Sequence, residues 1–108
     1  MNKYHNKKTA INGIVFDSKK EAGRFTELSL LQRAGEITGL ERQKRFEIVP
    51  RTKTERAAYY VADFVYCNKK GHKVIEDVKS AITKKNPVYI LKRKLVKHLY
   101  PEYTFIET

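Results

Sequence analysis

Tryptophan is absent from this chain and cysteine occurs once, at Cys67, so no internal disulfide framework is available to it. Joined with His5, His72 and His98, that thiol makes a poor zinc set at these spacings, and a reducing, cytoplasmic setting suits it best. No apolar run approaches the ~20 residues that cross a bilayer, and the lysine-rich start lacks the apolar segment of a secretory signal. A membrane partner is therefore not expected. Acids are the minority charge: 12 Asp and Glu stand against 23 Lys and Arg, a formal net charge of +11 in 108 residues. That excess is more than solubility asks of so short a chain, and it points to a polyanionic partner. The cations fall in groups at 42–45, 69–70, 84–85 and 92–94 rather than in one terminal tail, which favours folded basic surfaces over a disordered arm. The plainer alternative is a basic surface that is merely solvated.

A hydrophobic content of 41% suffices for one modest core, and we expect a single domain over residues 1–108 that dimerisation would help to stabilise. Residues 1–13 are polar, basic and aperiodic, and read as a loose N-terminal arm leading into the strand-like Ile14, Val15 and Phe16. Ser18, followed three residues later by Glu21, has the capping-box pattern, and Phe25, Leu28 and Leu31 recur at helical spacing. The first helix should run from about Ser18 to Ala34 and end at Gly35. Loose alternation over Leu40 to Pro50, a charged loop over Arg51 to Arg56, and aromatic and β-branched residues over Tyr59 to Cys67 predict a hairpin. Turn chemistry at Asn68 to Gly71 and renewed alternation over Lys73 to Lys79 add a third antiparallel strand. A second helix opens around Thr83 to Pro87, buries a stripe of Val88, Leu91, Leu95 and Leu99, and stops at Pro101. Tyr103 to Ile106 would close the chain as a strand. Helix, three strands, helix, strand is an α/β layout around one mixed sheet.

Within the Lys73 to Lys79 strand, side chains alternate, so Lys73, Ile75, Asp77 and Lys79 share one face while Val74, Glu76 and Val78 share the other. An acid and a lysine two residues apart at a strand end can hold a divalent metal and a hydrolytic water side by side. Taken alone, such a pair is more often a surface salt bridge. A second acid, Asp63, interrupts the apolar run Tyr59 to Tyr66, where a charge is costly unless paired or bound to metal. Pairing of the two strands would bring it near Asp77 in a register that the sequence does not give. Glu21 lies about 40° from Phe25 and about 20° from Leu28 around the first helix, on its buried face, whereas Glu27 projects about 120° away toward solvent. Glu21 either completes the capping box with Ser18 or serves the site, and the two roles are compatible.

The order of helix-borne Glu21, then Ala62-Asp63, then Asp77-Val78-Lys79, then a basic helix, resembles the PD-(D/E)XK, or restriction-endonuclease-like, superfamily. More narrowly, FDSKKEAGRFTEL, LERQKRFEIVP, VADFVY, VIEDVKS and YILKRKLVKHLYP are similar to a family of small phage-encoded nucleases within it, over about Lys3 to Glu107. The resemblance implies a restriction-endonuclease-like core. It also implies Asp63 and Asp77 as acids holding Mg²⁺ or Mn²⁺, Glu21 as a helix-borne ligand or water-orienting group, and Lys79 as the catalytic lysine. Ala62 departs from the proline that names the first motif, and Glu76 competes with Asp77 as the acid of the third, although alternation puts it on the wrong side of the strand. Gln43, Tyr89 and Lys92, with Lys84 and Lys85, are the further candidates for contact with DNA. The expectation is an Mg²⁺-dependent endodeoxyribonuclease with slight sequence preference, selective for branched or junction DNA and acting in phage recombination, repair or packaging, with a homodimer as the assembly that would cut two strands. A non-catalytic nucleic-acid-binding protein of the same fold is the rival reading, and a basic module for an acidic protein partner is a third.

Overall fold

The computed structural model describes residues 8–11 and 13–108. Most of the expected N-terminal arm, and His5 with it, lies outside the described residues. What is described of the arm is not aperiodic: β1 (Thr9–Ile11) pairs antiparallel with β2 (Ile14–Phe16), and Gly13 takes the positive φ of 80° that their tight connection needs. The helix α1 (Lys19–Arg33) follows, capped by the Ser18 side chain, which accepts from the Glu21 N–H, and Gly35 at φ 82° lets the chain leave it. Its observed ends agree with the sequence expectation.

A four-stranded mixed sheet makes the body of the protein, in the spatial order β3 (Ile37–Val49), β4 (Ala58–Asn68), β5 (Lys73–Asp77), β6 (Tyr103–Glu107). The first three strands are antiparallel neighbours, and β6 lies parallel to β5. Between β5 and β6 the chain crosses over through α2 (Ala81–Lys84) and α3 (Pro87–Leu99), as a parallel pair requires. The one helix expected here is two, because Asn86 turns out of the helix and caps a new one: its side chain accepts from the Val88 and Tyr89 N–H groups, and Pro87 takes the first position.

Each face of the sheet carries its own core. On one, Leu28 of α1 packs with Ile37, Phe64, Tyr66 and Val74; on the other, Tyr89 and Val96 of α3 pack with Phe46, Ile48, Tyr60, Ala62, Val65 and Ile75. The expected buried stripe on α3 is a correction. Of its four residues Leu95 packs against the core, but Val88, Leu91 and Leu99 are exposed, and the helix is turned so that Tyr89 and Val96 face the sheet. The turn gives two aromatic residues both an apolar bed and a polar anchor: Tyr89 donates its hydroxyl to Glu107, and Tyr100 donates to the Glu47 carbonyl at 2.9 Å while its ring meets Phe46 edge-on.

Thr108 finishes the sheet. Its N–H donates to the Asp77 carbonyl at 2.8 Å and its carbonyl accepts from the Lys79 N–H at 3.2 Å, which fixes the segment just past the end of β5.

Candidate active site

Period-two alternation holds along β5 and fails on β4. Tyr60 and Ala62 belong to the α3 core, Phe64 and Tyr66 to the α1 core, so the change of parity falls at Asp63. Across the ladder, the pairs Arg42↔Phe64 and Lys44↔Ala62 flank Gln43, which has a φ of 53°. A left-handed backbone at a long, β-carbon-bearing residue costs of the order of 1 kcal/mol and persists where the surroundings impose it. Here its amide donates to Glu21 Oε1 at 3.1 Å, joining α1 to the sheet directly over Asp63.

The strand register places Asp63 beside Asp77: the Asp63 N–H donates to Asp77 Oδ1 at 3.0 Å, and Asp63 Oδ2 accepts from the Val78 N–H at 2.8 Å. The Lys79 ammonium bridges the pair, 3.3 Å from Asp63 Oδ2 and 3.8 Å from Asp77 Oδ1. Glu21, Asp63 and Lys79 line one cleft of about 280 Å³, together with Asp17, Lys20, Ser80 and Thr83. Asp77 has no exposed surface and does not line the cleft; it is joined to it through the Asp63 N–H and the Lys79 ammonium. Its second oxygen, Oδ2, is buried and has no hydrogen-bond partner among the described residues.

These acids carry more negative charge than their neighbours offset. Burial first, then Asp63 and Asp17, push the Glu21 carboxyl up to about 7, and Arg42 and Lys79 recover only part of that. Burial also raises Asp77, against the pull of Lys79 and of the Asp63 N–H. Mg²⁺ and Mn²⁺ take oxygen donors, so three carboxylates and an unpartnered buried oxygen suit such an ion in donor chemistry. Among the described residues no three His, Cys, Asp or Glu side chains are gathered into a ready ligand set. In this arrangement the Lys79 ammonium supplies the positive charge between Asp63 and Asp77.

All four first-rank candidates from the sequence thus meet in one place. Glu21 is buried, as its position around α1 predicts, but its side chain turns to Gln43 and does not close the capping box, whereas Glu27 is exposed and pairs loosely with Arg24 at 3.8 Å. Gln43 belongs to the site through Glu21. Tyr89 does not offer a surface to DNA: it is buried, bound to Glu107, and lies under Lys79 with its ring 5.6 Å from the ammonium. Lys92, Lys84 and Lys85 do not line the cleft. Sequence reasoning missed Asp17, Ser80 and Thr83, although Ser80 follows Lys79 directly and Asp17 precedes the helix cap. Lys20, also missed, donates to the Lys79 carbonyl at 3.5 Å.

Glu76 is on the opposite face, as alternation predicts, and is fully engaged. Arg24 Nε donates to Oε2, Arg24 Nη2 and the Tyr66 hydroxyl reach Oε1 at 3.0 and 2.6 Å, and the Thr108 hydroxyl reaches Oε2 at 3.2 Å. Nothing in the sequence pattern had linked these four residues.

Fold and site define a mixed α/β protein with a carboxylate and lysine cleft where α1 meets the middle of β4 and the segment that follows β5. The chain belongs to the family described as "Protein of unknown function (DUF1064)", whose model it matches over residues 1–107. No curated protein and no solved structure matches it. No helix among the described residues is long and apolar enough to cross a membrane.

Proposed function

We propose that this protein is a metal-dependent DNA nuclease with a restriction-endonuclease-like core and a PD-(D/E)XK-type site. The observation that carries the reading is the meeting of Glu21, Asp63 and Lys79 in one cleft, with Asp63 and Lys79 bound to Asp77, whose buried Oδ2 has no partner among the described residues. A structural salt bridge has no use for three acids around one lysine in a chain whose net charge is +11.

Asp63 and Asp77 are the residues to hold Mg²⁺ or Mn²⁺, which when bound would polarise the scissile phosphate and make a water more acidic. Lys79 stands close enough to both acids to direct that water and to offset charge on the phosphate as it becomes five-coordinate. Glu21, with its pKa near neutrality, is suited to take the proton of the water as its oxygen bonds to phosphorus and the opposite P–O bond breaks. Gln43 holds the Glu21 carboxylate in place for this transfer. The basic surface would supply affinity through phosphate neutralisation, so binding should weaken steeply with salt. With no separate base-reading element, the substrate preference we infer is for DNA structure, in branches or junctions, over sequence, and a homodimer would cut two strands.

The Lys79 bridge across Asp63 and Asp77 favours a second reading, in which the acids are satisfied by lysine alone and the protein binds nucleic acid without cutting it. Cleavage of labelled linear, single-stranded and four-way-junction DNA, with Mg²⁺ or Mn²⁺, separates the two. A nuclease requires metal and loses at least about a hundredfold in rate in both Asp77→Asn and Lys79→Ala while DNA binding persists. Salt-sensitive binding with no cleavage of any substrate leaves the binding protein.

A further inference from the structure

The sheet extends well past the cleft. Beyond Arg45 on β3 and Tyr59 on β4, the two strands are joined by the loop 50–57, and beside that loop lies a groove of about 780 Å³ that shares no residue with the cleft. Its cations are Arg45, Arg51, Lys53 and Arg56, against Glu47 and Glu55. Among the described residues none of the four cations lies within 4.0 Å of a carboxylate. The loop is built rather than slack: the Thr52 N–H donates to the Glu55 carbonyl at 3.0 Å, and the Thr52 hydroxyl oxygen accepts from the Glu55 N–H at 3.0 Å. The Arg45 guanidinium sits 4.0 Å over the Tyr59 ring, a flat cationic platform at the groove's edge.

Phe46, Ile48 and Tyr60 point into the α3 core, so the alternating residues Arg45, Glu47 and Tyr59 point to the face on which α1 lies, the face that carries Glu21. Asp63 lies four residue steps along β4 from Tyr59, about 13 Å at the rise of a strand. That equals the axial span of about four nucleotides of one DNA strand.

We propose that this groove is a second DNA-binding site, which holds the phosphate backbone from about four nucleotides outward of the phosphate in the cleft. The assignment rests on DNA being the partner, as argued above, and goes beyond it in fixing where the flanking strand runs. Arg51, Lys53 and Arg56 neutralise phosphates, and the Arg45 and Tyr59 pair meets the sugar or an unstacked base at the near edge.

The test is equilibrium binding in EDTA, so that it does not depend on cleavage. The full chain is compared with the triple variant Arg51→Ala, Lys53→Ala, Arg56→Ala and with a control that removes exposed charge elsewhere, Lys69→Ala with Lys70→Ala. On a duplex long enough to reach from cleft to groove, the triple variant should lower the slope of log K against log salt by about 2 to 3 and weaken binding on the order of tenfold, with the control near wild type. On a duplex too short to reach the groove, all three proteins should bind alike. A triple variant with the wild-type slope, a control that falls as far, an equal loss on the short duplex, or a wild-type protein that does not bind DNA overturns the proposal. Loss of slope in a protein that never cleaves retains the groove and removes the nuclease reading; metal-dependent cleavage with an unchanged slope does the reverse.

Discussion

Glu76 and Asp77 are consecutive on β5 and both fully buried, yet the two faces of the sheet treat them in opposite ways. On the α1 face, burial works against the Glu76 charge, but Arg24, Tyr66 and Thr108 all donate to it and hold its pKa below the ordinary carboxylate range. On the α3 face, Asp77 receives one N–H from Asp63 and a lysine at 3.8 Å, keeps one oxygen without a partner, and has its pKa raised by burial. An acid that serves the fold brings its cation and fills every lone pair within reach. Asp77 is left short of such partners among the described residues, and the proposed nuclease reading therefore places its metal at Asp77 and not at Glu76.

The comparison is most easily broken by stability measurements. Glu76→Ala strands Arg24 and the Tyr66 hydroxyl and should cost about 3 kcal/mol in chemical denaturation. Asp77→Asn, which keeps an acceptor for the Asp63 N–H and removes a poorly compensated charge, should stay within about 1 kcal/mol of wild type. Equal losses would mean that Asp77 is as structural as its neighbour.

A second prediction concerns pH. The Glu21 carboxyl is raised from 4.5 to about 7, so between those values the folded protein keeps a proton that the unfolded chain releases. Its contribution to stability is therefore fully present below about pH 4.5 and is lost as pH rises through 7, by on the order of 3 kcal/mol. Asp77 acts in the same direction. Thermal melts should show this decline and Glu21→Gln should flatten it. Mg²⁺ or Mn²⁺ should restore the loss above pH 7 and do little near pH 5, since only the ionised acids bind it; at ten times its dissociation constant the gain is about 1.4 kcal/mol. A metal effect that is the same at both pH values would remove the acids of the cleft from metal binding.

The smallest expected effect sharpens the picture of the α3 face. Val96→Ala should cost about 2 kcal/mol, whereas Leu91→Gln should change stability by less than about 0.5 kcal/mol, because Val96 is fully buried and Leu91 is more than half exposed. The stripe drawn from sequence alone would have reversed that order.

That reversal shows where the sequence is informative. The ends of α1 were legible because Ser18 and Gly35 act locally, through a side-chain cap and a positive φ. The four strands of the main sheet were legible from alternation and turn residues, and with them the separation of Glu76 from Asp77, whereas β1 was read as part of a loose arm. On α3 two stripes compete, one of Val88, Leu91, Leu95 and Leu99, of which only Leu95 packs against the core, and one of Tyr89, Val96 and Tyr100. The choice turns on a Glu107 carboxylate and a Glu47 carbonyl that are distant in sequence. The four first-rank site residues were each nameable from type and spacing. Their geometry was not, because it depends on a change of parity at Asp63 and a left-handed Gln43 opposite it, neither of which leaves a local signature.

The bonds of Thr108 also bear on how the protein is handled at the bench. Its backbone joins Asp77 to Lys79, and its hydroxyl meets Glu76, so one residue touches both acids' surroundings and the lysine's main chain. Thr108→Pro would remove the N–H that holds the Asp77 carbonyl and so loosen the segment that carries Lys79, although Thr108 does not line the cleft. Thr108→Cys carrying a small environment-sensitive dye would be a reporter on the cleft that leaves every residue lining it unaltered.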